Sequence, residues 1–266
     1  MAHKIDELLD IMTRLRDPRK GCPWDRKQTW ETIAPYTIEE AYEVADAIEG
    51  KDFSELKNEL GDLLFQVVFY AQMGKEQGLF DFDAIVDGIC EKMMRRHPHV
   101  FADVIHDDEA ALKEAWEREK SRERAQKGVR NNLLDGVARA LPALVRADKL
   151  QKRAAGAGFD WPDATGAMQK VEEELEEVRE AVANGNLQVV EEEVGDLLFA
   201  AVNVARLLGV DAEQALRRGN RKFERRFQQL EKYLQGHGQK DLRKLTLQQL
   251  GQAWRKIKEE EGRTGE

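Results

Sequence analysis

Apolar residues recur every three or four positions through most of this 266-residue chain, the spacing of one helix face. Ile5, Leu8, Leu9, Met12 and Leu15 mark a first helix over 5–15, broken by Asp17-Pro18 and Gly21-Cys22-Pro23. Thr37-x-x-Glu40 has the form of a capping box and predicts a second helix over 37–48, ended by Gly50-Lys51-Asp52. A third is predicted over 54–75. Gly78 and Asp81-Phe82-Asp83 separate it from a fourth over 84–96, which stops at His97-Pro98-His99. Residues 107–126, dense in Glu, Lys and Arg, read as an exposed helix leading out of this unit, and 131–142 as a linker.

The second half repeats the plan. Helices are predicted over 144–153, 165–183, 187–208 and 212–235, with Gly156-Ala157-Gly158-Phe159-Asp160-Trp161-Pro162 as the first break. An acidic cassette recurs in register. Glu39-Glu40-Ala41-Tyr42-Glu43 and Glu59-Leu60-Gly61-Asp62 return as Glu173-Glu174-Leu175-Glu176-Glu177 and Glu193-Val194-Gly195-Asp196, every member displaced by 134 positions. Trp24 and Trp161 are 137 apart, so a small insertion separates loop from cassette. Such a repeat argues for two domains, divided here as 1–128 and 129–266. No strand-like alternation recurs. The expectation is an all-α fold of two tandem helical bundles.

Composition narrows the partners. Charged residues make up 35% and aromatics 7%, which suits a helix-rich protein with large solvated surfaces. A net charge of −9 argues against binding nucleic acid or an anionic membrane. It does not exclude nucleotides, because a bound metal reverses the local sign. No apolar run approaches the ~18 residues of a membrane span, and the polar N-terminal stretch lacks the apolar region of an export signal. Cys22 and Cys90 form neither a disulfide framework nor a Cys-x-x-Cys metal knuckle. A cytoplasmic protein with reduced thiols is expected.

The cassette carries the chemistry. Glu174 and Glu177 are three apart, as are Glu193 and Asp196, so each pair shares one side of a helix. The stripes Met168, Val171, Leu175, Val178, Val182 and Val190, Val194, Leu197, Ala201 are expected to face the core. Both carboxylate pairs then lie on their flanks. Two antiparallel helices would gather four carboxylates at the edge of a packed core, an arrangement that close like charges make untenable without a cation. An all-oxygen donor set suits Mg²⁺, or Mn²⁺ in its place. Gly61 and Gly195 sit inside helices, where Gly costs ~1 kcal/mol against Ala, so close approach by another helix or a ligand is expected. A run such as Glu172-Glu173-Glu174 alone is more often a solvated face. Duplication of both pairs, with the Gly, favours chemistry.

These residues resemble the MazG family of nucleoside triphosphate pyrophosphohydrolases, whose motif is Glu-Glu-x-x-Glu, a spacer, then Glu-x-x-Asp. The resemblance extends over nearly the whole chain, including Gly21-Cys22-Pro23-Trp24-Asp25, Arg95-Arg96-His97-Pro98-His99-Val100-Phe101 and Lys222-Phe223-Glu224-Arg225-Arg226. It implies an all-α, dimeric, Mg²⁺-dependent enzyme that hydrolyses the α–β phosphoanhydride of ribo- and deoxynucleoside triphosphates, giving the monophosphate and pyrophosphate. By position, the metal ligands would be Glu174, Glu177, Glu193 and Asp196, with Glu40, Glu43, Glu59 and Asp62 as first-half counterparts. Glu39 and Glu173 would orient or deprotonate water, so Glu173, Glu174 and Glu193 are the candidate catalytic set. Phosphate chemistry needs further cations. Lys222, Arg225 and Arg226 supply them, with Lys170 another candidate. The resemblance also places a substrate-contacting Trp near Trp254, although Trp254, Ile257 and Leu250 together read as an interface anchor.

The halves differ. Lys92, Arg95 and Arg96 stand in the first half where the second has Lys222, Arg225 and Arg226, but the Trp254 tail is expected to have no first-half counterpart. Catalysis is therefore expected in the second half, with stability, dimerisation or regulation in the first. Rival readings are weaker. His106-Asp107 is a lone dipeptide of the HD phosphohydrolase type, His97-x-His99 lacks Cys partners for zinc, and no His follows a Glu by three as a di-iron bundle requires. The related phosphoribosyl-ATP pyrophosphohydrolases normally use one short domain. A non-enzymatic helical dimer with structural metal sites is the remaining alternative.

Overall fold

The computed structural model describes residues 4–102, 132–239 and 241–264, together with Asp108, Leu112, Ala115, Trp116, Glu119, Arg122 and Glu123. His106-Asp107 and most of the predicted exit helix lie outside the described residues. All regular structure among the described residues is helical. The chain divides into two compact units, Met1–Lys127 and Gly128–Glu266. Unit 1 contains α1 (Lys4–Leu15), α2 (Trp30–Gly50), α3 (Phe53–Glu76), α4 (Phe82–Arg96) and α5 (Pro98–Phe101). Unit 2 contains α6 (Ala143–Ala155), α7 (Ala164–Asn184), α8 (Leu187–Leu207), α9 (Ala212–Gly236) and α10 (Leu247–Thr264).

The central element of each unit is a tight helical hairpin, α2–α3 or α7–α8, against which α1 or α6 packs. The two hairpin turns are built alike. Lys51 (φ 56°) and Gly185 (φ 69°), 134 positions apart, both end a helix in the left-handed conformation. Each is followed by a side chain that caps the next helix. Asp52 Oδ1 accepts from Ser54 and Glu55 N–H at 3.1 and 3.0 Å. Asn186 Oδ1 accepts from Gln188 and Val189 at 3.1 and 3.4 Å. These caps answer the orphan donors of a helix start.

The predicted start at Thr37 is corrected: α2 begins at Trp30, capped by Thr29 with a capping box to Thr32. Pro35 lies inside the helix. The missing N–H is tolerated because Ile33 (1% exposed) and Trp30 pack into the core of unit 1, while Thr37 bonds Tyr70 Oη at 2.9 Å. The predicted linker is also corrected. Val137 is buried, Arg153 donates to the Asp135 carbonyl, and Pro142 immediately precedes α6. From Asn132 on, this segment belongs to unit 2.

The cores differ in bulk. Unit 1 buries Met12, Ile33, Val68, Phe69 and Met73, flanked by Trp30 stacked on Tyr70 at 5.7 Å. In unit 2 the buried apolar residues of α6–α8 are mostly alanines, Ala147, Ala167, Ala181 and Ala200, with Val202. A second cluster of Leu230, Leu234, Ala253 and Ile257 joins α9 to α10, with Trp254 packed against it.

The expected core stripe of α7 is rotated, with Val171 and Val178 still half-buried. Met168, Leu175 and Val182 are exposed. The buried positions are Ala167, Glu174 and Ala181, seven apart. On α8, Val194 and Leu198 are likewise exposed. Glu174, Glu177 and Glu193 turn inward while Met168, Leu175, Val182, Val194 and Leu198 turn outward.

Met12 is fully buried at the centre of the unit 1 core. Met12→Ala should lower stability by about 2–5 kcal/mol, measured by urea unfolding followed by circular dichroism; a loss below about 1 kcal/mol would mean that the core collapses around the gap.

Candidate active site

The inward face of the α7–α8 hairpin carries a carboxylate triad. Oxygens of Glu174, Glu177 and Glu193 lie within 4.8 Å of one another. Glu174 is 5% exposed. Its Oε1 meets Lys170 Nζ at 2.8 Å, and its Oε2 is closed to solvent without a hydrogen-bond partner. The Glu174 carboxyl and burial, opposed by Lys170, raise the pKa of Glu177. Lys170 also meets Glu173 at 2.7 Å, and the two carboxylates hold its pKa above the usual lysine value. Lys170 thus serves as a cation within the acidic cluster. An orphaned, buried carboxylate oxygen among three carboxylates fits a hard divalent cation.

Unit 1 holds the matching triad Glu40, Glu43 and Glu59, again within 4.8 Å. The lysine is missing, because Tyr36 stands 134 positions before Lys170. The Glu55 carboxyl, burial and Glu43 push Glu59 up to about 7. Burial, Asp62, Glu43 and Glu39 raise Glu40 against a hydrogen bond from Gln66. Asp62 and Asp196, the fourth members of the predicted sets, fall outside the 4.8 Å groups and are exposed. Gly61 and Gly195 are exposed too, and a Cβ added to either meets no atom within 4 Å. The close approach expected there is absent among the described residues.

A cavity of about 650 Å³ opens between α6, the Gly158–Trp161 loop and α8, and it ends on Lys170, Glu174 and Asp196. Phe159, Trp161, Phe199 and Leu150 give it an apolar wall, with Gln151 and Asn203 as polar points. Trp161 rests against Gly166, where an added Cβ would come within 2.4 Å of the indole. Arg206 ties the loop to α8. It pairs with Asp160, whose pKa it lowers, and donates to Asn203 Oδ1 at 3.0 and 2.7 Å. Trp161, Gln151 and Asn203 were not singled out as site residues from sequence. The Phe159-Asp160-Trp161 break, beside a repeat with so few large core residues, was the available signal.

The corresponding space in unit 1 is filled. At the same 134-residue offset from two of the lining residues, Gln66 stands for Ala200 and Phe69 for Asn203, and both are buried. A separate cavity of about 560 Å³ in unit 1 is lined by Arg16, Arg26, Lys27, Glu76 and neighbours, none of them in the triad.

Lys170 lines the cavity, but the other predicted phosphate-binding cations lie elsewhere on unit 2. Lys222 is exposed on α9. Arg225 and Arg226 each pair with Glu261 of α10 at 2.6 Å. Trp254, half-buried, meets Phe223 at 5.5 Å. None of these four lines the cavity. Helix α10 was not predicted, although Leu250, Trp254 and Ile257 follow helical spacing.

The expected absence of a first-half tail is corrected as well. Arg95 and Arg96 both pair with Glu123, at 2.6 and 2.5 Å. Trp116 precedes Glu123 by seven residues, as Trp254 precedes Glu261. The repeat therefore extends into the tail at an offset of 138, with insertions hiding it from a search at 134.

Comparison with known proteins agrees with this architecture. The MazG nucleotide pyrophosphohydrolase domain family matches twice, at residues 28–101 and 164–230. A nucleoside triphosphate pyrophosphohydrolase of Escherichia coli K12 is 51% identical over 97% of this chain and 98% of its own length. A nucleoside triphosphate pyrophosphohydrolase/pyrophosphatase MazG of Thermotoga maritima is 43% identical over 96% of this chain and 95% of its own. Among solved structures, a mazG-related protein of Thermotoga maritima matches 44% of this chain and 98% of its own, at 28% identity and a TM-score of 0.37.

The paired arginines hold Glu123 down to about 2. A depressed carboxyl pKa stabilises the fold above the ordinary glutamate value and loses that contribution as pH falls through the folded value. The stability gap between the parent and Glu123→Gln should therefore be full above about pH 4.5 and close towards pH 2, read from thermal melts across that range. A gap independent of pH would show that the clamp acts through packing rather than charge.

Proposed function

The chain belongs to the MazG nucleotide pyrophosphohydrolase family, and on that footing we propose that it hydrolyses ribo- and deoxynucleoside triphosphates at the α–β phosphoanhydride, with unit 2 as the catalytic half. The observation that carries this reading is the aromatic-walled cavity that runs directly onto Glu174 and Asp196. A nucleoside fits an apolar pocket with few polar points, and the phosphates then meet the carboxylates.

Each residue has a role in this reading. Glu174, Glu177 and Glu193 hold Mg²⁺ or Mn²⁺, with Asp196 at the cavity end completing the set. The bound ion would polarise the phosphoryl oxygens and lower the pKa of water. Glu173, exposed beside Lys170, takes the proton of the attacking water as the anhydride P–O bond breaks and pyrophosphate leaves. Lys170, which lines the cavity beside Glu174, is the cation nearest the carboxylates for phosphate. Lys222 and Arg226, one turn apart on α9, and Arg225 take the distal phosphates when Glu261 gives way. Trp254 is engaged in the α9–α10 cluster, so the base is assigned to Phe159 and Trp161 instead.

Unit 1 keeps a carboxylate triad but carries Phe69 and Gln66 where the unit 2 cavity is lined by Asn203 and Ala200, which favours a structural or regulatory role. A homodimer is supported by the outward apolar side of the hairpin, Met168, Leu175, Val182, Val194 and Leu198, which a second copy would cover.

Glu193→Gln and Glu177→Gln in the full chain should cut pyrophosphate release at least 100-fold with unchanged helicity, whereas Glu59→Gln should retain most activity. A panel of triphosphates with Mg²⁺ checks this. Equal losses in all three variants would spread catalysis over both units, and no turnover of any triphosphate by the parent would favour the non-enzymatic dimer.

A further inference from the structure

Gly166 lies in the first turn of α7, and nothing in its backbone asks for glycine. Its φ is not among the positive ones, so it takes an ordinary helical conformation, where Gly is among the poorest choices. The reason lies across the loop. A Cβ at this position would fall 2.9 Å from Cζ3 of Trp161 and 3.1 Å from its Cδ2, inside ordinary contact distance. The indole therefore lies directly on the helix backbone. Its loop is held on both sides. Asp160 pairs with Arg206, and Asp163 caps α7 by accepting the Thr165 N–H at 2.7 Å. Trp161, between these anchors in the chain, lines the cavity. Unit 1 is built differently here. Thr32 stands 134 positions before Gly166, and its hydroxyl accepts the Thr29 N–H at 2.8 Å in the cap of α2. The loop tryptophan of that unit, Trp24, takes another partner: it lies edge-on to Tyr36 at 5.9 Å.

We propose that Gly166 is a positioning residue for nucleotide binding: lacking a side chain, it seats the Trp161 indole against α7 and so sets the aromatic wall that the nucleoside meets. This rests on the assignment of the cavity to the nucleoside. Gly166 is not among the residues that line the cavity, so its effect passes through Trp161. Trp161 is 43% exposed, so a displaced ring has solvent to move into and the fold loses little. The cavity loses more, because an indole pushed off α7 either enters the space or leaves its wall.

The test uses the full chain and reads binding apart from turnover. Calorimetry with Mg²⁺ measures adenosine monophosphate and pyrophosphate on the parent, Gly166→Ala, Trp161→Leu and the double variant; stacking tolerates any base, so one nucleotide serves. Gly166→Ala should weaken the nucleotide about tenfold, the scale of one lost ring stack, and leave pyrophosphate within about twofold. Its KM should rise while kcat stays within about threefold. Its melting temperature should match or exceed the parent's, since Ala is the better helix former. Trp161→Leu removes the ring, so adding Gly166→Ala to it should cost no more than about a further twofold. Unchanged nucleotide binding in Gly166→Ala, or a full further loss in the double variant, overturns the proposal. A lowered melting temperature with loss of both ligands also overturns it, because the defect then lies in the fold. If Gly166→Ala does not fold, the double variant decides: it should fold, and failure there would show that the glycine serves the helix rather than the tryptophan. A parent that binds no adenosine monophosphate overturns this inference together with the assignment of the cavity, whereas a parent and a Gly166→Ala variant that bind it equally overturn this inference alone.

Discussion

A buried carboxylate governs this molecule. Glu174 occupies the inward stripe of α7 between Ala167 and Ala181, where an ionised group is costly unless a cation meets it. Much of what surrounds it follows from that demand. Lys170 lies one turn away on the same helix and reaches both Glu173 and Glu174. Glu177 and Glu193 converge on the same point. Glu174 lies between these alanines on α7 and is among the residues that line the cavity of unit 2. With the acidic side turned in, apolar residues such as Leu175 and Val182 are left facing out.

The two units solve one packing problem twice, with different side chains. Hairpin turns, the caps that start α2 and α3, and the triads correspond at one offset of 134, while the clamp arginines correspond at 130 and the clamp glutamates at 138. Side-chain volume is what separates them. Phe69 and Ile33 give unit 1 a conventional core, and Trp30 on Tyr70 completes it. Asn203 and Ala200 line a cavity at the matching positions of unit 2. Duplication followed by exchange of a few core residues is enough to leave one half dense and the other open.

Much of the fold was legible in the sequence because amphipathic spacing and turn residues act locally. The hairpins, the all-α class and the twofold cassette all rest on such signals. The capping-box pattern at Thr37 misplaces the start of α2, because the cap at Thr29 and the packing of Trp30 and Ile33 into the core carry the helix seven residues further back. The repeat itself held the correction, since Asp163 caps α7 at the position 134 residues after Thr29. The inward face of α7 was misassigned because apolar residues were taken to point at the chain's own core, which fails where a surface is left for something else to cover. The carboxylate triads were legible; the cavity wall was not. Gln151, Trp161 and Asn203 come from three separate elements, and no spacing rule links them.

The cavity wall and the α10 tether are both fastened by arginine, but in different media. Arg206 is 9% exposed where it pairs with Asp160, while Arg225 is 57% exposed in its pair with Glu261. Screening by dissolved ions weakens exposed pairs far more than sheltered ones. Raising the ionic strength therefore loosens α10 from α9 at Arg225 well before it disturbs the loop that carries Phe159 and Trp161. The wall keeps its shape across a range of salt over which the outer helix becomes progressively easier to lift.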